Sequence, residues 1–299
     1  MENEGIRTIK TIAIIGLGVV GGSYAQAIRL SCGHRYKIIG IDTDELTLKK
    51  AKQLGWIDQG YKDGKEVLPQ ADLVIFSLYP VMIKTFILDH LSYFKEGALL
   101  TDATGVKKPC MEEVLPILPS HVDFVFGHPM AGREKSGIDY ASAQVFQGAN
   151  YLITPTPLNK KENIDFIESF MRSLGFGRVT QTTIDFHDEI ISFTSQLTHA
   201  IAVSLINSDR EGRETVRFIG DSYRDLTRIA NINEKLWSEL FIENAPNLLQ
   251  SIEAFEKELT LMKAAIANKD KTSLEKRFVE AGKRRVALEE ADYSLKYKD

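Results

Sequence analysis

Apolar residues follow two regimes along this chain. Up to about residue 180, short β-branched runs alternate with amphipathic stretches; from about residue 183 the spacing is helical throughout. In the first regime, residues 8–16 (TIKTIAIIG) form an apolar run closed by glycine, which predicts a strand buried on both faces. Residues 19–30 predict a helix, 37–42 a second strand, and 44–54 a helix that Asp44 can cap. Residues 72–78, 98–102 and 122–127 predict three more strands. A helix entered at Pro80 follows the first of them, and a short helix over 108–118 precedes the last. Residues 151–154, 164–174 and 176–180 predict a closing strand–helix–strand unit of the same domain. This alternation implies an α/β fold, a doubly wound parallel sheet with right-handed crossovers.

The second regime predicts helices over 185–207, 234–268 and 271–296, with a shorter segment between the first two. The last two would run roughly 50 Å and roughly 40 Å at the helical rise. Apolar stripes on helices of that length need covering, either by a second subunit or by an intrachain bundle; the former predicts a homodimer. The expected domains are 1–182, α/β, and 183–299, all helical.

Composition narrows the function classes. The chain has 299 residues, 43% hydrophobic and 26% charged, with a formal net charge of -4, so no basic field points to nucleic acid or an anionic membrane. No run reaches the roughly 18 apolar residues of a membrane helix, and the N-terminus lacks a signal-peptide profile. Cys32 and Cys110 show neither CxxC nor metal spacing, which suits a reducing cytoplasm and no metal site. No appended regulatory domain is expected after the last helix.

Gly16, Gly18 and Gly21 fit GxGxxG between a strand and a helix. The first permits the tight turn, the second lets backbone approach a pyrophosphate, and the third lets helix and strand pack closely. Asp42 ends the second strand, where a carboxylate can accept ribose hydroxyls, and no arginine follows it to receive a 2′-phosphate. NAD is therefore the expected cofactor, held by Gly16, Gly18, Val19, Val20, Gly21 and Asp42, with Ser77 and Thr104 at later strand ends. A plain strand-end carboxylate is the bland alternative for Asp42.

Of six histidines, His34, His90 and His121 read as surface or turn residues and His187 as neutral. His128 ends the strand DFVFGH and precedes Pro129, at the strand edge where ligands of open α/β sheets bind. An imidazole there suits removal of a hydroxyl proton as hydride departs. Asp188, Ser192, Ser195 and His199 recur at helical spacing as a polar stripe on an otherwise apolar helix, lining either a polar substrate or solvent. Arg224 and Arg228 share a helical face and can grip a carboxylate, or pair locally with Asp221 or Asp225.

The segments GLGVVGG, TDATGVKK, GHPMAGREKSG, TSQLTHAIA, DLTRIAN and LWSELFIEN, in this order, resemble the prephenate dehydrogenase family across nearly the whole chain. The resemblance implies a Rossmann domain followed by an all-helical dimerisation domain. It implies NAD-dependent oxidative decarboxylation of prephenate to 4-hydroxyphenylpyruvate, on the route to tyrosine. It assigns proton acceptance to His128 and substrate contacts to His199, Arg228 and Glu134, with Ser195 and Thr104 nearby. Where the family usually carries serine this chain has Gly105, for which Thr104 is the expected substitute, and Gln196 and Thr198 also depart from the family pattern. Arogenate dehydrogenase, a β-hydroxyacid dehydrogenase and a non-catalytic NAD-responsive regulator are the competing readings.

Overall fold

The computed structural model describes residues 8–132 and 135–297, with side chains to residue 295. Six parallel strands form the main sheet: β1 (Thr11–Ile15), β2 (Lys37–Ile41), β3 (Gln59–Tyr61), β4 (Leu73–Phe76), β5 (Leu99–Asp102) and β6 (Asp123–Phe124). Their spatial order is β3-β2-β1-β4-β5-β6, so the winding reverses between β1 and β4. Successive residues of the central strands bury on opposite faces. Ile12, Ile14, Leu73, Ile75 and Leu99 enter one core with α1 (Val19–Cys32) and α2 (Glu45–Gln53). Ala13, Ile15, Val74, Phe76 and Leu100 enter the other with α3 (Pro80–His90) and α4 (Lys108–Val114). Burial on both faces explains why these strands read as continuous apolar runs. Asp44 caps α2 as expected, accepting from the backbone N–H of Leu46 and Thr47. The short edge strand β3, which reads QGY, carries no apolar signal and was not expected.

The run expected as one strand over 122–127 divides. The N–H of Val125 still donates to Leu100 of β5, but that of Gly127 donates to the Asp102 carboxylate at 3.0 Å. The chain therefore leaves the main sheet and begins a second one. Its strands are β7 (Phe126–Pro129), antiparallel to β8 (Asn150–Thr154), which is parallel to β9 (Arg178–Gln181). The closing strand–helix–strand unit, with α5 (Lys161–Ser173), thus belongs to this separate sheet rather than extending the main one. His128 accordingly lies within β7 of the second sheet, opposite Leu152, and not at the end of a strand of the main sheet. His90 is buried and stacked on Phe86, not exposed as its helix suggested.

A continuous helical segment, Ile184–Asn207, comprises α6 (Ile184–Ile191), a π-helical turn (Ser192–Gln196) and α7 (Leu197–Asn207). By length and composition it is long and apolar enough to cross a membrane, which corrects the expectation of no such run. Its buried His187, Asp188 and Gln196 are hydrogen-bonded to the protein around them. There follow α8 (Asp221–Thr227) and α9 (Glu234–Glu243). The helix expected over 234–268 stops at Glu243 and restarts as α10 (Ala245–Ala267). Pro246 cannot donate to the preceding turn and disfavours helical geometry just before it.

The chain divides into two compact units between Asn244 and Ala245. The second unit pairs α10 with α11 (Lys271–Tyr297), joined through Asp270, which caps the start of α11 by accepting from Ser273 N–H. Leu249, Leu259, Phe278, Val279 and Val286 on these helices are each more than half exposed.

Candidate active site

The glycine turn between β1 and α1 is built as a phosphate cradle. Gly16 has φ +84°, and a Cβ there would lie 2.5 Å from the Ser77 carbonyl oxygen; a Cβ on Gly21 would overlap the Gly16 carbonyl. A Cβ on Gly18 would meet nothing within 4 Å, so open space lies in front of this residue. Gly18 is also the N-cap of α1 and offers no side-chain cap, which leaves the first-turn N–H groups of Val19 and Val20 for an anion. Asp42 braces the turn, accepting from Leu17 N–H at 2.8 Å and Asp44 N–H at 2.9 Å. Ser77 Oγ is buried without a partner among the described residues, beside the same turn. These features fit a dinucleotide at the point where the strand order reverses.

Two strands further along the same carboxyl edge, the loop after β5 carries a buried polar network. Lys107 is wholly buried, and its ammonium donates to Asp102 Oδ2 at 2.5 Å, to Thr104 Oγ1 at 2.9 Å and to the Gly127 carbonyl. The Thr104 hydroxyl itself donates to Asp102. Asp102 and Lys107 therefore grip both sides of the Gly127 peptide, and a Cβ on Gly127 would overlap the Tyr151 hydroxyl. A lysine so enclosed is tolerated only because all its donors are answered. This network fixes the backbone from which the His128 ring projects.

The His128 ring is held on one side. Its Nδ1 lies 2.9 Å from His187 Nε2, and His187 Nδ1 lies 2.7 Å from Asp188 Oδ1. Asp188 in turn accepts from the N–H groups of Lys107 and Lys108 at 2.9 and 2.8 Å. Burial, then the neighbouring His187 and Lys107, holds the His128 imidazole well below the usual histidine range. Burial also lowers His187, against the opposing pull of Asp188. For Asp188 burial raises the pKa, but the bonds from His187 and the two lysine N–H groups outweigh it and hold the carboxyl low. On its other side, His128 Nε2 lies 3.8 Å from where a Cβ on Gly105 would stand.

Helix α9 packs against the same Gly105 position. Leu240 is the nearest neighbour of that Gly105 position, at 3.4 Å. One turn earlier, Trp237 stacks on His199 with ring centroids 3.6 Å apart. The helix is fastened to the start of α3, where Asn233 donates to the Tyr79 hydroxyl and Glu239 accepts from Val81 N–H. Gln196, non-consensus by resemblance, is buried: it donates to the Leu240 carbonyl and accepts from Asn244, both at 2.8 Å. It ties the π-helical turn to α9 and does not enter the site.

The polar stripe divides. Asp188 and Ser192 are buried and bonded internally, and the π turn between α6 and α7 breaks the regular phase on which the stripe rested. Ser195 and His199 remain partly exposed, with His199 Nδ1 bonded to the Ser195 carbonyl. Arg228 begins a tighter turn (Arg228–Ala230) packed on α7, so it leaves the regular helical face it was expected to share with Arg224. Thr104 was expected to replace a missing hydroxyl, but its own is engaged beneath the site. Glu134 lies outside the described residues. No local signal singles out His187 or Lys107 within the site, and Asp188, expected on a stripe facing a substrate or solvent, stands instead behind His187; only their enclosure reveals these positions.

Comparison with known proteins agrees with this geometry. Residues 24–180 match the family model for the prephenate dehydrogenase nucleotide-binding domain, and residues 184–280 match that for its dimerization domain. The chain is 31% identical to a cyclohexadienyl dehydrogenase of Zymomonas mobilis, over 93% of this chain and 96% of that protein. It is 28% identical to a prephenate dehydrogenase of Bacillus subtilis, over 88% of this chain and 72% of that one. Among solved structures, prephenate dehydrogenase of Aquifex aeolicus, in complex with hydroxyphenyl propionate and NAD+, superposes with a TM-score of 0.85. The two are 29% identical, over 94% of this chain and 99% of the other.

Proposed function

The chain belongs to the prephenate dehydrogenase family, and on that premise we propose that it oxidises and decarboxylates prephenate with NAD, giving 4-hydroxyphenylpyruvate, carbon dioxide and NADH. The observation that carries the reading is His128 Nε2, an imidazole nitrogen open toward Gly105 on the carboxyl edge that also holds the dinucleotide turn. Bound at that turn by the N–H groups of Gly18, Val19 and Val20, with its ribose on Asp42, NAD supplies the hydride acceptor.

The residues of this chain handle the proton and the charges. His128 Nε2 takes the hydroxyl proton from the ring carbon that loses hydride. Departure of the ring carboxylate as carbon dioxide leaves its bonding pair in the ring, which becomes aromatic, and His128 returns the proton to the ring oxygen. A depressed pKa keeps His128 neutral, and so able to accept, at neutral pH. Leu240 and Trp237 shield the ring from water, while His199 and Arg228 serve the substrate's carboxylates. Ser195, on the helix with His199, and Glu134 complete the proposed substrate contacts, and Ser77 those to the cofactor.

We take the helical region from residue 183 as the substrate and dimerisation domain and place the enzyme in the cytoplasm as a homodimer. The apolar residues bared on α10 and α11, and two cysteines without disulfides, support this reading. The deciding measurement is turnover of prephenate and of arogenate, each with NAD and with NADP. Prephenate with NAD should be the best pair, and a strong preference for arogenate would replace it with the amino-acid substrate.

A further inference from the structure

His187 and Asp188 have no part in the chemistry described so far, yet they form an unbroken line behind His128. The three groups stand in sequence, Asp188 Oδ1 to His187 Nδ1 at 2.7 Å and His187 Nε2 to His128 Nδ1 at 2.9 Å. Both members of the pair are buried, so no water competes for these bonds. We propose that His187 and Asp188 are positioning residues that fix the tautomer and aim of His128, leaving its Nε2 lone pair toward the substrate. The proposal rests on the dehydrogenase reading and deepens it.

The protonation pattern follows from the acceptor at the far end. The Asp188 carboxylate receives the N–H groups of Lys107 and Lys108, a setting suited to the ionised, acceptor-only form. Facing a carboxylate, His187 Nδ1 must carry hydrogen. A neutral His187 then offers only a lone pair at Nε2, and the short contact to His128 demands that His128 Nδ1 be the donor. One proton remains on the His128 ring, at Nδ1, so Nε2 is the acceptor. The opposite arrangement would set a lone pair of His187 against the carboxylate.

The same line stabilises what His128 becomes. On taking a proton the ring is an imidazolium, and its Nδ1–H then points along His187 toward a fixed negative charge. Among the described residues, the other charges acting on the two histidines are the Lys107 ammonium, which opposes an imidazolium, and the Asp102 carboxylate, which favours it, while the Lys108 ammonium and the Glu243 carboxyl face Asp188. Asp102 and Lys107 are bonded to each other at 2.5 Å, so Asp188 is the anion left to act through His187. Gly105, which faces Nε2, has no side chain with which to repeat this control.

The test compares the wild-type enzyme with His187→Gln and His187→Asn, both with NAD. Glutamine can accept from His128 Nδ1 but cannot pass on the influence of the carboxylate. A loss in kcat of roughly 10–100-fold is expected, with KM for prephenate within about threefold and the acid limb of kcat displaced. A folded variant keeping kcat within about twofold, with an unmoved acid limb, overturns the proposal. Nitrogen-15 NMR of the wild-type histidines decides the matter even if both variants fail to fold. Hydrogen on His128 Nδ1 is expected, and hydrogen on Nε2 at neutral pH overturns it. Failure of the wild-type enzyme to turn over prephenate counts against the dehydrogenase reading instead, since the tautomer measurement needs no substrate.

Discussion

Gly105 stands against the free nitrogen of His128: a Cβ at position 105 would lie 3.8 Å from Nε2 and 3.4 Å from Leu240. The backbone at Gly105 is not in the left-handed region, so a side chain there meets no conformational penalty. A serine hydroxyl, about 1.4 Å beyond its Cβ, comes within hydrogen-bonding range of Nε2. Gly105→Ser should therefore fold normally, with Tm within about 2 °C of wild type, and retain activity within about tenfold. A donor on Nε2 favours the neutral ring, so the acid limb of kcat should move down, by about half a pH unit. An unmoved limb would mean that the new hydroxyl points elsewhere. Gly105→Leu, by contrast, fills the space in front of Nε2 and should abolish turnover.

The His128 imidazole is the only group to which proton acceptance is assigned, so its removal separates chemistry from binding. His128→Asn should bind prephenate and NAD with little change while turnover falls about 10²–10⁴-fold. The pH profile follows from the sign of the shift. Burial, His187 and Lys107 push the His128 pKa down, the neutral form is the active one, and activity is lost as pH falls through that lowered pKa. The wild-type acid limb should thus lie well below pH 6.5, the ordinary histidine value, with a flat profile at neutrality. A limb at or above pH 6.5 would place the titrating group elsewhere.

Much of this arrangement was legible because its signals are local. The glycines of the turn, the Asp44 cap, the proline opening α3 and the two-sided apolar strands each act over a few residues. The errors arose where distant bonds decide. Nothing in DFVFGHP marks the break at Val125, because its cause is the Asp102 carboxylate, 25 positions earlier, taking the Gly127 N–H. His187 looked neutral because its partner is His128, 59 positions away. Nothing local to TGVKK marks Lys107 for burial, and only the closed network around it accounts for it. The stripe through Ser192 and Ser195 assumed regular helical phase, which the π turn removes.

Arg228 opens a short turn packed against α7, the helix that carries His199, and its side chain is exposed. A guanidinium anchoring a substrate carboxylate contributes equally to the ground and transition states. Arg228→Ala should raise KM for prephenate at least about tenfold while kcat stays within about threefold and NAD affinity is unchanged. A fall in kcat at constant KM would instead give the arginine a part in the chemistry.

Glu243 makes the last prediction, one of stability rather than catalysis. Its Oε2 is buried without a partner among the described residues. Burial, then the charges of Glu239, Glu113 and Asp188, raises its pKa to about 7. A carboxyl raised on folding binds more protons in the native than in the unfolded state between its two pKa values. Stability therefore declines as pH climbs from about 4.5 to about 7, and the full penalty persists above that. Glutamine of the same shape carries no charge and escapes the penalty. Glu243→Gln should stabilise the protein by about 1–2 kcal/mol at pH 8, allowing for solvent screening, and by little at pH 5. Thermal unfolding at the two pH values checks this. Equal shifts at both would assign the effect to packing, because only the ionised carboxylate distinguishes the two conditions.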